Sequence, residues 1–366
     1  MFLISRSIIS KSVAIVAIST LLFGCNKNEN SNPVTSTIPT GNYASSGTLV
    51  LHEGSFSGSG SVSYIMNGKS TANNDIYAVA NNNQPLGTFA QDLQLINDKA
   101  YITVQNANKV EVVTANTFKK VASINNLLMP HSILSVSATK LYVTEWVNGY
   151  STGRVCIVNP VTNTIKGYIF MDRSGPSQMA QSGDYVYVVN AGGFGKDSTV
   201  TVINTTTDQV IKSIEVGYNP NSVGIDANGK IWVLCGGVSY PLDQATSGAI
   251  VKINPITNTV ESNQSFNTTA IHPAKLTFNN SKNTMYYLEN GYGGNILQHT
   301  INANAPSTTP VITGNYYGLG INNTTLYAAD AGDFASNGKV MTYQLGSNQL
   351  LSTYNVGIIP TAFRFK

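Results

Sequence analysis

The sequence predicts an all-β fold: a seven-bladed β-propeller of four-stranded blades, its ring closed by strands from both termini. Three observations carry this expectation. Short apolar runs of alternating pattern are separated throughout by Gly, Asn, Ser and Thr, which is the composition of many short strands joined by turns. One phrase then recurs along the chain, as "KLYVTEWVNGY", "YVYVVNAGGFG", "KIWVLCGGVSYP", "TMYYLENGYGG" and "TLYAADAGDFA". Aligned on its strand aromatic, the phrase falls at Tyr101, Tyr142, Tyr187, Trp232, Tyr286 and Tyr327, spaced 41, 45, 45, 54 and 41 residues apart. A period in the forties is one four-stranded propeller blade per repeat. The chain also ends on "IIPTAFRFK", a strand pattern with nothing after it.

From the N-terminus, residues 1–24 read as a signal peptide. Arg6 and Lys11 supply the basic region, and "VAIVAISTLLFG" is an apolar stretch too short to span a bilayer. Cys25, preceded by Leu22, Phe23 and Gly24, resembles the lipobox cysteine of bacterial lipoproteins, which implies acylation at Cys25 and attachment to the outer membrane, exposed at the cell surface. Residues 25–46 are polar and punctuated by proline; they cannot bury enough apolar surface to fold and are expected to form a lipid-anchored flexible tether. The propeller is expected over 47–366. Cys156 and Cys235 fall in different repeats and read as free buried thiols.

The fullest repeat, Gly175 to Gly217, divides itself. "SQMAQS" is the inner strand, "YVYVVN" the second, "STVTVINT" the third and "QVIKSIEVG" the outer one, with turn residues between them. Six complete blades start near Ala90, Pro130, Pro176, Pro220, Pro273 and Tyr316. The seventh is split: "GTLVLHEGSFSGSGSVSYIM" and "DIYAVANNN" supply three strands at one end of the chain and "IIPTAFRFK" the inner strand at the other. Joining them removes the open sheet edges that would template aggregation.

The runs "KLYVTEW", "GRVCIVNPVTNTI", "STVTVINTTTDQVIKSIEVG" and "NPNSVGIDANGKIWVL" resemble the YVTN-type, YncE-like seven-bladed propellers over about residues 47–366. With the lipobox, the whole resembles their membrane-anchored branch. That resemblance implies a surface lipoprotein, and within the branch are proteins that capture cobalamin for an outer-membrane transporter.

In a four-stranded blade, the loops after the second strand and before the inner strand emerge on one face. Three positions beyond the second-strand aromatic lie Glu145, Asn190, Glu289 and Asp330, with Glu53 equivalent in the split blade, so four acids are expected in one ring. Beyond them the loops carry Phe56, Trp146, Tyr150, Phe194, Tyr240, Tyr292 and Phe334. The loops leading into the inner strands contribute a second set: Gln91, His131, Gln178, Asn221, Lys275 and Tyr317. Aromatic walls with a few convergent polar groups suit a large amphipathic small molecule. His52, His131 and His272 align to the same face but come from separate blades without metal-ligand spacing, and no metal site is expected.

Only 11% of residues are charged, the net charge is +3 and Lys/Arg clusters are absent, so a nucleic-acid partner is excluded. There is no nucleophile elbow, phosphate-binding loop or dinucleotide fingerprint, and catalysis is not expected. The leading expectation is therefore ligand capture, with cobalamin or another tetrapyrrole as a bound ligand, no required cofactor, and an outer-membrane transporter or other envelope protein as partner. A protein-interaction propeller is the alternative, and a lactonase-like or metal-dependent hydrolase the second alternative.

Overall fold

The computed structural model describes residues 41–147, 151–239 and 241–366. Seven antiparallel sheets form its blades. The inner strands are Ala90–Ile96, Pro130–Ser137, Pro176–Ser182, Pro220–Ile225, Ala274–Phe278, Gly318–Asn322 and Pro360–Phe365, here blades 1 to 7. Each inner strand touches the next and the last touches the first, so the sheets close into a ring. Blade 7 joins the two ends of the chain: Pro360–Phe365 pairs with Gly47–His52, which pairs with Ser61–Met66. The signal peptide and Cys25 lie outside the described residues.

Burial follows position in the blade. Second strands are sandwiched between neighbouring sheets and are buried almost end to end, as in Tyr185–Asn190 and Ile231–Cys235. Outer strands such as Gln209–Glu215 face water. The core therefore lies between blades: Tyr101, Val110 and Val112 of blade 1 share a cluster with Leu141, Val143 and Cys156 of blade 2. Cys156 and Cys235 are free and buried.

Two devices repeat at the blade junctions. The second-strand tyrosine of one blade reaches the third-to-fourth strand turn of the next: Tyr101 donates to Pro160 O, Tyr142 to Asp208, and Tyr187 to Asn258 Oδ1 at 2.5 Å. The turn residues Asn163, Asp208 and Asn258 all have φ near +55°, a conformation that Asn and Asp tolerate best among side-chain-bearing residues. The second device is a glycine opening a third strand against the proline of the next inner strand. A Cβ on Gly153 would stand 2.2 Å from Pro176 Cδ, and one on Gly248 2.3 Å from Pro273 Cδ, so only glycine fits.

One expected element differs. "DIYAVANNN" is not an outer strand but contains a short helix, Ile76–Ala80, whose Ile76 and Tyr77 are buried. The fourth-strand position of blade 7 is reduced to a single bridge between Tyr64 and Asn73, so this blade has three strands where four are expected. Asp75, left-handed at φ 50°, breaks the extended chain just before the helix.

Chain direction fixes the two faces. Gly47–His52 runs toward the face where Glu53 lies, so the residues before Gly47 enter from the opposite face. There the Tyr43 amide donates to Asn116 O in a turn of blade 1, and the Lys366 ammonium reaches the Tyr43 carbonyl and Asn116 Oδ1.

Candidate functional site: an axial cavity with a polar crown

Among the described residues, six inner strands slip register at their first step. The irregularities lie between Ala90 and Asp92, Pro130 and Ile133, Pro176 and Met179, Pro220 and Ser222, Ala274 and Thr277, and between Pro360 and Ala362 opposite Leu51 and His52. A bulge bends its strand and re-aims a side chain. The bulged stretches hold Gln91, His131, Gln178, Asn221, Lys275 and Thr361, and all six line one axial cavity of about 680 Å³. The inner strand of blade 6 pairs without a bulge, and the blade contributes Tyr317, the residue just before that strand.

The bulged starts are strained as well. Phe89, Met129, Asn219 and Ile359, each immediately before the first residue of an inner strand, have φ of 56°, 45°, 53° and 57°. In blade 5 the left-handed residue is Lys275 itself, at φ 58°. For bulky side chains this region costs on the order of 1–3 kcal/mol per residue. Neighbouring threonines hold the bulges in place: Thr103 Oγ1 donates to His131 O at 2.9 Å and Thr144 Oγ1 to Ser177 O at 3.1 Å.

The cavity wall is amphipathic. Trp146 stacks on His131 with centroids 5.0 Å apart, and its Nε1 donates to Pro176 O at 2.9 Å. Trp146 thus belongs to the strand Lys140–Val147 and bridges blades 2 and 3 instead of standing on a free loop. His131 Nδ1 is buried without a hydrogen-bond partner among the described residues. Burial, reinforced by the Lys275 charge, pushes this imidazole down to about 4, so it is neutral at physiological pH.

A charged cluster sits opposite. The Tyr317 hydroxyl donates to both Glu53 oxygens at 3.2 Å, and the Lys275 ammonium donates to Thr361 Oγ1 at 3.0 Å while lying 5.3 Å from the Tyr317 ring centroid. Burial raises the Glu53 carboxyl and lowers the Lys275 ammonium, each partly offset by the charge of the other. Asp92 is committed to the ring: it accepts from Arg364 at 2.6 Å and from Ser132 Oγ and Ile133 N at 3.0 Å. The side chains of Arg364 and Thr361 enter from the C-terminal strand and are the site residues that sequence reasoning missed. Their presence depends on the register of ring closure, which only the pairing with Gly47–His52 sets.

The expected acid ring separates into different roles. Only Glu53 lines the cavity. Glu145 is buried, paired with Arg154 Nε at 2.5 Å and capped by Leu128 N at 2.6 Å. Glu289 accepts from Asn295 at 2.7 Å, and Asp330 from Gly332 N at 2.8 Å. Asn190 is buried between Thr199 and Thr201. These side chains hold their own loops, and no group of three or more His, Cys, Asp or Glu residues suited to a metal ion occurs among the described residues.

Of the aromatics, Tyr292 reaches the cavity edge. Phe56 and Phe194 lie outside the lining at 91% and 79% exposure, though Phe194 meets Trp146 edge-on, and Phe334 packs against Tyr317. Tyr150 and Tyr240 lie outside the described residues. His52 is buried within blade 7 against Ser61 and Gly357, and His272 bonds to Gly236 O, so of the three aligned histidines only His131 lines the cavity.

Fold and cavity together define a propeller with an axial pocket framed by its inner strands. The chain belongs to the family described as a domain of unknown function, DUF5074, whose model matches residues 46–353. No curated protein sequence matches it. Solved structures of similar fold include a quinoprotein alcohol dehydrogenase-like protein from Bacteroides thetaiotaomicron, with 15% identity and TM-score 0.64 over 86% of this chain and 77% of that one. The periplasmic gluconolactonase of Pseudomonas aeruginosa matches with 12% identity and TM-score 0.63 over 88% of this chain and 99% of that one. Hydrazine synthase from Kuenenia stuttgartiensis matches with 17% identity and TM-score 0.58 over 72% and 85%. At these identities the likeness shows the fold alone.

Proposed function

We propose that this chain is a membrane-tethered binding propeller that takes an amphipathic small molecule into its axial cavity and passes it to an outer-membrane transporter. The observation that carries this reading is the set of bulged, left-handed starts that turn six polar side chains into one cavity. In blade 6 the inner strand pairs regularly with the second strand, so the ring does not need the inner-strand bulges. Strain that the fold does not require, gathered around one pocket, supports a binding role. Trp146 and Tyr317 supply apolar area and the crown supplies directional groups, the combination a small-molecule site uses.

The resemblance to the anchored YVTN-type branch favours cobalamin or another tetrapyrrole as the ligand, with no resident cofactor. Residues 41–46 lead into Gly47 from the face opposite the cavity mouth, with Tyr43 buried in the propeller core. Acylation at Cys25 would tether the protein at the cell surface, which suits capture from the medium. The exposed rim aromatics Phe56, Phe194 and Tyr292 suit contact with the receiving transporter, and they are also what an interaction propeller would use.

A hydrolase remains the second reading, because Glu53, His131 and Lys275 share the cavity and a gluconolactonase shares the fold. Calorimetric titration of the protein with cyanocobalamin and with haem tests the first reading. Saturable binding of one ligand per chain supports it. Turnover of gluconolactone, lost in Glu53→Gln, with no tetrapyrrole bound, would replace it with the second.

A further inference from the structure

The cavity is lopsided in what it leaves unpaired. Asp92 is saturated by Arg364, Ser132 and backbone amides, and the Glu53 oxygens receive the Tyr317 hydroxyl. Lys275 is treated differently. Its ammonium makes one hydrogen bond, to Thr361, and among the described ion pairs it takes part in none. An ammonium has three donors, so two make no hydrogen bond among the described residues, while the group lies 5.3 Å from the Tyr317 ring centroid. Across the same cavity the buried His131 Nδ1 has no partner.

The backbone holds this arrangement in place. Lys275 is the one crown residue that itself lies in the left-handed region. A relay from blade 4 fixes it there: the Lys275 amide donates to Ser222 Oγ at 3.0 Å, Ser222 Oγ to Asn221 Oδ1 at 2.8 Å, and Asn221 Nδ2 to Pro273 O at 2.9 Å. A lysine needed only to neutralise Glu53 would have no use for a strained backbone, and it does not approach Glu53 closely enough to form an ion pair.

We infer that the Lys275 side of the cavity is an anion subsite: the ligand presents a carboxylate to the Lys275 ammonium and the His131 ring, and its apolar body lies against Trp146. This rests on the binding reading above and narrows it to ligands that carry a negative charge beside an aromatic or otherwise flat apolar part. Charge-assisted hydrogen bonds to a desolvated ammonium are the strong ones, and an uncharged analogue would leave the lysine unpaired.

The test uses 2-naphthoate and its neutral isostere 2-naphthamide as probes, with wild-type protein, Lys275→Met and Lys275→Arg. Binding is followed by tryptophan fluorescence and by the shift in unfolding temperature. The unliganded unfolding temperature of each variant shows that it folds. The expected result is that wild type binds naphthoate at least about tenfold more tightly than naphthamide, that Lys275→Met abolishes the preference, and that Lys275→Arg keeps part of it. Equal binding of both probes, unchanged by Lys275→Met, would overturn the anion subsite and leave the cavity as a neutral binding site. Failure of both probes to bind wild type would overturn both the subsite and the amphipathic-ligand reading on which it rests.

Discussion

Deleting residues 358–366 should collapse the ring, because those residues supply the inner strand of blade 7. The strand Pro360–Phe365 pairs with Gly47–His52 at five positions. Phe363 is buried with Val50, Ile65, Ala329, Val340 and Val356, at the seam between blades 6 and 7. Loss of a buried phenylalanine costs about 3–5 kcal/mol through transfer and cavity formation. Each ladder hydrogen bond that is lost adds about 0.5–1.5 kcal/mol. The deletion also frees Lys366 from Tyr43 and Asn116 and exposes the edge of Gly47–His52. The sum exceeds ~5 kcal/mol, against a total of about 5–15 kcal/mol for a typical domain. At roughly 2–4 °C per kcal/mol, the unfolding temperature read by circular dichroism should fall by at least ~10 °C, or cooperativity should be lost. Phe363→Ala should give a graded fall in the same direction. An unchanged unfolding temperature for the deletion would refute closure by the two termini.

Three other outcomes are expected. Burial pushes His52 down to about 3 and His131 to about 4, whereas both titrate near 6.5 when unfolded. The unfolded chain therefore takes up the protons first, so stability is full above about pH 6.5 and declines as pH falls toward the folded values, by up to ~1.4 kcal/mol per pH unit for each histidine. Urea unfolding at pH 7, 6 and 5 should show that slope, and His52→Asn should reduce it by one histidine's share while His131 and the likewise buried His299, pushed down to about 4, keep the rest; a flat wild-type profile would show that the histidines are not buried neutral. Tyr142→Phe removes the latch to Asp208 and should cost about 1–2 kcal/mol while Asp208 keeps its Lys140 partner, and an unchanged midpoint would make the latch incidental. Cys25→Ser should move the protein from the membrane to the soluble fraction; persistence of a covalent lipid would defeat the lipoprotein reading.

The ring was legible because its signal is repeated. A single apolar run is ambiguous, but a strand aromatic recurring every forty-odd residues, with a proline or small residue opening each inner strand, leaves one architecture. The crown was legible for the same reason: Gln91, His131, Gln178, Asn221 and Lys275 each lie one or two residues past the start of an inner strand, and the bulge there turns them inward. The acids were misassigned because position on a face does not decide which partner a carboxylate takes. Glu145 stands directly across from Arg154 in the sheet register, a cross-strand pair that the third-strand sequence "TGRVCIVN" contained but that strand-end alignment overlooked. "DIYAVANNN" failed because so short a segment carries too few residues to separate a strand period from a helical turn. The latches were hidden because Tyr101 and Asn163 are 62 residues apart and meet only when adjacent blades dock.

Ligand affinity measured inside and outside the crown tests the binding reading most directly. Calorimetric titration with cyanocobalamin and with haem, the tetrapyrrole that carries carboxylates, should be run on wild type, Trp146→Ala and Phe56→Ala, well below the unfolding temperature of each. Trp146 lines the cavity, whereas Phe56 stands on the rim outside it. Truncating a buried aromatic anchor costs about 2 kcal/mol or more, which is more than tenfold in affinity. The expected result is one site in wild type, at least tenfold weaker binding in Trp146→Ala and unchanged affinity in Phe56→Ala. No binding by wild type, or an equal loss at both positions, would contradict a ligand site within the axial cavity.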